Sequence, residues 1–343
     1  MPLRVIQWAT GNIGRRSLAG ALQHPDLEVV GVRVFSPAKV GVDAGTLAGL
    51  PVGGVAATDD VDALVALGAD CVLHMPSSLD IDELSRLLAS GANVVSTRSE
   101  LVHARRALPD DAVDRLEAAC AEGGSSLYGT GSSPGFITDV LPVALLLVER
   151  SLHTLAIEEF ADLSQRASPE LLFDVMGMGR RPAPVDARRA DHLRGSFAPS
   201  LESLADRIGL HINRTDAHAE VAVASRPVTI AAGDIEEGCI AAQRTTITAM
   251  TGDDTRLMFR ATWYCTTFLE PAWSLGATGW RVTVDGDAPM TVDVAFPVEI
   301  EQLGDVTPGY TANPAVNAVA AVCAARPGLV TAADLLPIAP RIS

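Results

Sequence analysis

Lysine is nearly absent from this chain of 343 residues: the basic residues number 26, and the only lysine among them is Lys39. A mechanism that needs a catalytic lysine elsewhere in the chain is therefore excluded. The cysteines are few and show no Cys-x-x-Cys spacing, which favours reduced thiols in a cytoplasmic protein over disulfides; they are Cys71, Cys120, Cys239, Cys265 and Cys323. No group of histidine, cysteine and aspartate has a metal-ligand spacing, so we predict no metal.

Positive charge is scarce as well, and the formal net charge is −16. This argues against nucleic acid or an anionic membrane surface as a partner. The apolar stretch at 140–148 is far too short to span a membrane. The first residues lead straight into a predicted strand, so we expect no signal peptide. Hydrophobic residues make up 48% of the chain and charged residues 20%, a composition typical of globular proteins with one large or two smaller domains.

Short apolar strands alternate with helices in the first half of the chain. Their two-sided apolar character predicts a parallel sheet covered on both faces, which makes residues 1–135 a doubly wound, Rossmann-type dinucleotide-binding domain. The strands are predicted at 4–8, 28–35, near 55, 71–75, 92–97 and 125–129, and the helices at 15–23, 61–67, 81–89 and 109–122.

Long alternating strands dominate the second half and predict an α+β domain of mostly antiparallel sheet at 136–308, for substrate binding and dimerisation. A final helix at 313–325 should pack back on the first domain as part of a C-terminal segment, 309–343. We expect a loop at 174–195, rich in Arg, Pro and Gly, and a hairpin turn at Asp285-Gly286-Asp287. The strands are predicted at 154–160, 219–224, 228–232, 238–250, 256–266, 280–285 and 290–296, and the helices at 137–147, 169–176 and 201–208.

The glycine turn that follows the first strand is the most informative motif. Ala9-Thr10-Gly11-Asn12-Ile13-Gly14 is a G-x-G-x-x-G pattern with alanine at its first position. Gly11 would let the backbone approach a pyrophosphate, and Gly14 would let the helix pack closely on the strand, so that the helix N-terminus can bind the anion. An ordinary glycine β–α turn in another α/β protein is the alternative.

The segment after the second strand bears on which dinucleotide is bound. An NAD-preferring site usually carries an acidic residue here for the ribose hydroxyls, whereas this chain has Ser36 and Lys39, with Arg15 nearby on the first helix. A cation attracts a 2′-phosphate, so NADP(H) is favoured over NAD. Lys39 as the cap of a solvated loop, or dual specificity, is the alternative.

Three further strand ends supply candidate contacts to the nicotinamide and the substrate. Met75 and Pro76 are small and apolar enough to pack beside the nicotinamide ribose. Thr97 and Arg98 end the next strand, in the segment nearest the nicotinamide ring. Glu100, just beyond, is the first carboxylate placed to reach substrate; a helix-capping or solvated acid is the alternative. The glycine-rich segment 129–136 ends the last strand of the domain and allows close backbone approach, and it also suits a domain hinge.

These motifs resemble the dihydrodipicolinate-reductase-like superfamily, and within it the native amine dehydrogenase and 2,4-diaminopentanoate dehydrogenase group. The segments that carry the resemblance are Trp8–Gly14, Asn93–Thr97 with Glu100, Gly131–Phe136, and 313–325 with Asn317.

The resemblance implies reversible NAD(P)H-dependent reductive amination of a ketone or aldehyde with ammonia, in a homodimer, with Glu100 as the catalytic residue. Where the family commonly has asparagine before Pro-Gly-Phe, this chain has Ser133. The predicted cofactor contacts are Thr10, Gly11, Asn12, Ile13, Gly14, Arg15, Ser36, Lys39, Met75, Pro76, Thr97, Arg98, Ser133 and Asn317.

The chemistry of an iminium suits a carboxylate, which can take a proton during amination and stabilise the cation. The His-His…Lys signature of true dihydrodipicolinate reductases is absent, which argues against that activity. An NADP(H)-dependent reductase of C=O or preformed C=N is the alternative, with His74 or His103 as proton donor, and a dinucleotide-sensing binding module is a third possibility. Substrate pocket candidates are Phe136, Phe173, Met176 and Trp263, although such residues more often belong to a core.

Overall fold

The computed structural model describes residues 1–182, 187–335 and 338. Its strands are β1 (Leu3–Trp8), β2 (Leu27–Arg33), β3 (Cys71–His74), β4 (Asn93–Ser96), β5 (Ser126–Gly129), β6 (Leu152–Asp162), β7 (Ile212–Ala224), β8 (Val228–Ile230), β9 (Gly233–Ile235), β10 (Ile240–Thr251), β11 (Arg256–Tyr264), β12 (Leu269–Glu270), β13 (Gly279–Gly286), β14 (Met290–Ala295) and β15 (Gly328–Val330). Its helices are α1 (Asn12–Gln23), α2 (Ala44–Ala48), α3 (Val61–Val65), α4 (Ile81–Ala89), α5 (Ser99–Val102), α6 (Ala104–Ala107), α7 (Asp110–Gly123), α8 (Leu141–Leu146), α9 (Ala187–Arg207) and α10 (Leu303–Cys323).

The chain divides into two units, unit 1 at Met1–Asp139 and Asp305–Ser343 and unit 2 at Val140–Gly304. Unit 1 is built on a parallel sheet with the strand order β15-β5-β4-β3-β1-β2. The strand order reverses beside β1, which lies between β3 and β2. In doubly wound sheets, ligands bind at the carboxyl ends of the strands at such a switch point.

Apolar cores cover both faces of this sheet. On one face α1 and α10 pack together, with Leu18 and Val316 in the same buried cluster as Val5. On the other face α4 and α7 contribute Leu84 and Leu116 to a second cluster. Each fully buried side chain of this size contributes roughly 1.5–3 kcal/mol to folding. The two cores hold the strands rigidly, so the loops at the sheet's carboxyl edge have a fixed base.

Unit 2 is built on a mixed sheet with the order β12-β7-β10-β11-β6-β13-β14, in which only the β11–β6 pair is parallel. Helix α9 lies against one face, where Phe197 stacks on Phe259 with ring centroids 3.9 Å apart. The α/β fold predicted from the sequence, a Rossmann-type unit followed by a mostly antiparallel sheet, is confirmed.

Several local predictions were wrong. No strand forms near residue 55; isolated bridges join Ala56 to Asp43 and Thr58 to Arg33, and the Asp43 carboxylate accepts the N–H groups of Gly53 and Gly54 and holds the segment as a loop. The predicted loop at 174–195 instead contains the beginning of α9 from Ala187, and positions 183–186 lie outside the described residues. Alanine and arginine favour helix strongly enough to outweigh Gly195.

Two element boundaries also differ from the predicted ones. Helix α10 begins at Leu303, ten residues before the predicted start, and the part that was not predicted contains Pro308. The hairpin turn comes after Gly286, which still belongs to β13, and the Asp287 carboxylate accepts the backbone N–H groups of Arg150 and Ser151 at 2.8 and 2.9 Å. Within the described residues, no helix is both long and apolar enough to cross a membrane.

Candidate functional site

The loops after five parallel strands meet at one edge of the sheet of unit 1. Each is joined to its neighbour by a backbone hydrogen bond just beyond the strands: the N–H of Ala9 bonds to Arg33, that of Met75 to Trp8, that of Thr97 to His74 and that of Thr130 to Ser96. These bonds are 2.8 to 3.2 Å long. Met75 and Thr97 were predicted as cofactor contacts, and they therefore lie on adjacent loops. The loop of Met75 is also adjacent to the glycine turn.

The glycine turn has the geometry of an anion-binding loop. Gly11 caps α1 and nothing lies within 4 Å of where its Cβ would stand, so the helix end faces open space. A Cβ at Gly14 would overlap the carbonyl oxygen of Ala9, which requires glycine there. No acidic residue stands in the first turn of α1, so its N–H groups and positive helix end remain available to an anion.

Ala9 explains why glycine usually opens this motif. Its φ is +77°, a left-handed conformation that costs a residue with a side chain about 1–2 kcal/mol. The buried Gln7 stabilises the turn, because its Nε2 donates to the carbonyl oxygens of Ala9 at 3.0 Å and Leu73 at 3.3 Å.

Lys39 lies against the glycine turn. Its Nζ donates to the carbonyl oxygen of Thr10 at 2.8 Å and to the Thr10 hydroxyl at 3.2 Å. Ser36 begins the short 3-10 helix Pro37–Lys39 that carries the lysine, and Arg15 is exposed on α1. The positive charge is thus held beside the helix N-terminus, where phosphate binding is favoured.

Glu100 stands in the first turn of α5, just after β4, and forms an ion pair with Arg98, the N-cap residue of this helix. Arg98 Nη2 donates to one Glu100 oxygen, and the Ser99 hydroxyl donates to the other at 3.2 Å. Partial burial alone would raise the pKa of Glu100, but its own backbone N–H and the bonds from Arg98 and Ser99 outweigh it and lower the pKa below 4.5. The side chain is 36% exposed, so an ionised, accessible carboxylate stands at this edge.

Arg98 also ties two loops together, since its Nη1 donates to the carbonyl oxygen of Ser77 at 2.6 Å. With both of its terminal nitrogens engaged by Glu100 and Ser77, this arginine is not available as a bidentate clamp for a substrate carboxylate. Arg180 likewise donates to the carbonyl oxygen of Asp174 at 3.1 Å.

His74 is buried at the end of β3 and stays neutral. Burial, and then the charge of Arg98, lower the pKa of His74 to about 3. Its Nδ1 lies 3.0 Å from the Ser96 hydroxyl, while its Nε2 has no partner. A histidine with this pKa is a poor proton donor at neutral pH.

His103 is held in a buried pair with Asp139, with its Nε2 2.5 Å from the carboxylate. Thr138 bonds the other oxygen of Asp139 and the N–H of Gly135, so this network joins the segment that carries Glu100 to the end of the glycine-rich segment. The contact between His103 and Asp139 could not be predicted from the sequence, because the two residues are 36 positions apart.

The segment after β5 presents one unpaired hydroxyl. Ser132 bonds Thr311 of α10 at 2.8 Å, whereas the buried Ser133 Oγ has no partner. Pro76 is buried beside Met75, and Asn12 and Ile13 lie in the first turn of α1. Asn317 lies on α10 between two core residues and makes no side-chain hydrogen bond within the described part of the chain.

Three of the four substrate pocket candidates share one apolar cluster in unit 2. Met176 is buried in it, and Phe173 and Trp263 pack against it. Phe136 belongs to unit 1 and is 38% exposed. Within the described residues no group of histidine, cysteine, aspartate and glutamate is arranged to hold a metal ion.

Comparison with known proteins shows which fold this is. No protein-family model matches the chain. An amine dehydrogenase from Streptomyces virginiae is 34% identical over 190 residues, 54% of this chain, and the chain spans about half, 52%, of the length of that curated relative. The structure of an amine dehydrogenase from Mycobacterium smegmatis aligns with a TM-score of 0.77 at 21% identity, covering 99% of this chain and 98% of that one.

A scyllo-inositol dehydrogenase from Lactobacillus casei, solved with NAD(H) and scyllo-inositol bound, aligns with a TM-score of 0.57 at 12% identity over 97% of this chain and 93% of that one. The fold is that of the Rossmann-type oxidoreductases. The resemblance to amine dehydrogenases that the motifs indicated is confirmed.

Proposed function

We propose that this chain is an NADP(H)-dependent amine dehydrogenase, which combines a small ketone or aldehyde with ammonia and reduces the resulting iminium, reversibly, to a primary amine. The observation that carries the proposal is Glu100, an ionised carboxylate in the first turn of α5, just after β4, at the sheet edge where the glycine turn also lies. The similarity to the amine dehydrogenase of Streptomyces virginiae supports it.

The residues of unit 1 fit a dinucleotide. The open space at Gly11 and the uncapped first turn of α1 suit the phosphates, and the unpaired Ser133 hydroxyl suits a polar group of the nicotinamide. Lys39 favours NADP(H), with NAD as the second choice. When bound, the reduced nucleotide supplies the hydride.

Glu100 acts on the charge that amination creates. Ammonium supplies ammonia and one proton: ammonia adds to the carbonyl carbon and a C–N bond forms, the carbinolamine hydroxyl takes up the proton and leaves as water, and a cationic iminium remains. A carboxylate stabilises this cation, and it can also accept a proton from ammonium or from the carbinolamine. Because the pKa of Glu100 is lowered, it is a weak base, and stabilising the iminium is the stronger of the two roles. Arg98 holds the carboxylate in position.

The test is consumption of NADPH by the purified protein across a set of small carbonyl compounds, with and without ammonium. Turnover that needs both the carbonyl compound and ammonium is expected. Turnover without ammonium would instead identify a reductase of C=O or preformed C=N. Tight nucleotide binding without turnover would identify a dinucleotide-sensing module.

We also propose that the protein is a homodimer, as the resemblance implies. Size-exclusion chromatography with light scattering should give twice the chain mass of 35.8 kDa. A mass of one chain at assay concentrations contradicts this.

A further inference from the structure

Glu159 is a carboxylate on the apolar face of the unit 2 sheet, the face on which α9 covers Phe259. It stands on β6 beside Ala261 of β11 and Trp280 of β13. Ile157, two residues before it on the same face, is fully buried. Glu159 itself is partly exposed, so this end of the face is open to solvent.

Two tryptophans hold this carboxylate from neighbouring strands. The indole nitrogen of Trp263 donates to Oε1 and that of Trp280 donates to Oε2, each at 3.0 Å. Trp280 is fixed in turn by an edge-on contact with Phe296, with ring centroids 4.8 Å apart. An ionised carboxylate can accept about four hydrogen bonds. The indoles use two of them and leave the negative charge uncompensated.

No arginine, lysine or histidine nitrogen among the described residues lies within 4.0 Å of Glu159. Its chain neighbour Glu158 points to the opposite face and pairs with Arg260 at 3.1 Å. A partly buried carboxylate among apolar and aromatic groups is stabilised when a cation joins it. Glu159 therefore has the environment of an ion pair that lacks its cation.

Gln243 adds a second acceptor to the same face. It lies on β10 directly opposite Trp263. Its Nε2 donates to the carbonyl oxygen of Met176 at 2.6 Å, which fixes the orientation of the amide because a carbonyl only accepts. Its Oε1 is buried and has no partner. A ligand with N–H donors would satisfy this oxygen.

We propose that the row formed by Gln243, Trp263, Glu159 and Trp280, across β10, β11, β6 and β13, binds the ammonium group of an organic cation. Glu159 supplies the countercharge, the indole rings supply cation–π attraction and the Gln243 oxygen accepts an N–H. The chemical class is a primary alkylamine, protonated at neutral pH. This binding does not rest on the proposed function.

The test is binding of n-pentylamine and of its neutral counterpart 1-pentanol to the full chain without nucleotide, by calorimetry and tryptophan fluorescence. Two of the four tryptophans stand in the row, so occupancy should change the emission. We expect pentylamine to bind at least tenfold more tightly than pentanol. Equal affinities, or no detectable binding of the amine, would overturn the proposal without any variant being made.

Two matched variants locate the site. Glu159→Gln should lower the affinity for pentylamine at least tenfold and leave that for pentanol within twofold. Glu158→Gln removes the same charge from the adjacent residue on the opposite face and should leave both affinities unchanged. Gln243→Met tests the row without changing any charge and should weaken amine binding severalfold. Equal losses in the two glutamate variants would mean that only net charge matters, which contradicts a site.

The outcome is separable from that of the proposed function. Amine binding that depends on Glu159, in a protein that shows no ammonium-dependent turnover, keeps this site and overturns the proposed function. Ammonium-dependent turnover in a protein whose affinity for the amine is unchanged by Glu159→Gln keeps the proposed function and overturns this site.

Discussion

Lys39 donates its ammonium protons to the carbonyl oxygen and the hydroxyl of Thr10, so the chain's single lysine is bound to the glycine turn itself. The charge stands beside the N-terminus of α1, and both attract anions. Neither the lysine nor the turn would hold a phosphate as strongly alone.

Replacing Lys39 should weaken the binding of NADPH much more than the binding of NADH. Lys39→Met is expected to weaken NADPH binding at least tenfold and NADH binding by less than threefold, because the lost cation faces a 2′-phosphate that only NADPH carries. Fluorescence titration of both nucleotides measures this. Equal losses for both would assign Lys39 to the loop structure instead.

The two glycines of the turn should respond differently to alanine. Gly14→Ala forces a methyl group into the Ala9 carbonyl and is expected to lower the free energy of unfolding by about 2 kcal/mol or more. Gly11→Ala meets open space, so its urea midpoint should match that of the wild type while NADPH affinity falls at least tenfold. Unchanged NADPH affinity in folded Gly11→Ala would place the phosphates elsewhere.

Glu100→Gln should lower kcat at least a hundredfold and leave the Kd for NADPH within twofold, since the amide keeps the shape but loses the charge that stabilises an iminium. Stopped-flow turnover and nucleotide titration give the two quantities. Glu117→Gln is the control, because Glu117 pairs with Arg105 on the surface. Retained turnover in Glu100→Gln would remove Glu100 from the mechanism.

His74 should make the protein sensitive to acid. Its pKa is about 3 when folded and ordinarily 6.5, so between these values the unfolded chain binds one proton more than the folded chain. Stability is then lost as pH falls below about 6.5, by about 1.4 kcal/mol per pH unit from this residue. Urea unfolding of His74→Gln from pH 7 to 4.5 should show a slope shallower by one proton. His211→Gln, exposed on the surface, should keep the wild-type slope.

The sequence predicted most of the strands and helices whose formation depends on short local patterns. The apolar strands β1 and β3 and helix α4 are each bounded by glycine, proline or aspartate, and their ends were found within one or two residues. Helix α10 begins ten residues before its predicted start and contains Pro308, which is unfavourable inside a helix but is tolerated where the helix packs against α1. The cofactor and catalytic residues stay predictions.

The contacts that define the sites were beyond sequence reasoning. Arg98 reaches Ser77 across 21 residues and Gln243 reaches Met176 across 67, and only the packing of strands brings them together. Of the Glu159 row, Trp263 was among the pocket candidates, and the other three members were missed because the four residues come from four strands. A glutamate in an otherwise apolar strand pattern was the available signal.

The sheet of unit 1 is completed by a strand, β15, that is synthesised long after the others. Strand β15 joins β5, and α10 covers α1, yet roughly 200 residues, most of them in unit 2, are synthesised between β5 and β15. At ordinary translation rates this delay is about 10–40 s. During it, the nascent chain carries a bare strand edge and an uncovered apolar helix, the features that recruit other chains and chaperones. Growth temperature and translation speed should therefore govern how much of this protein reaches its folded state.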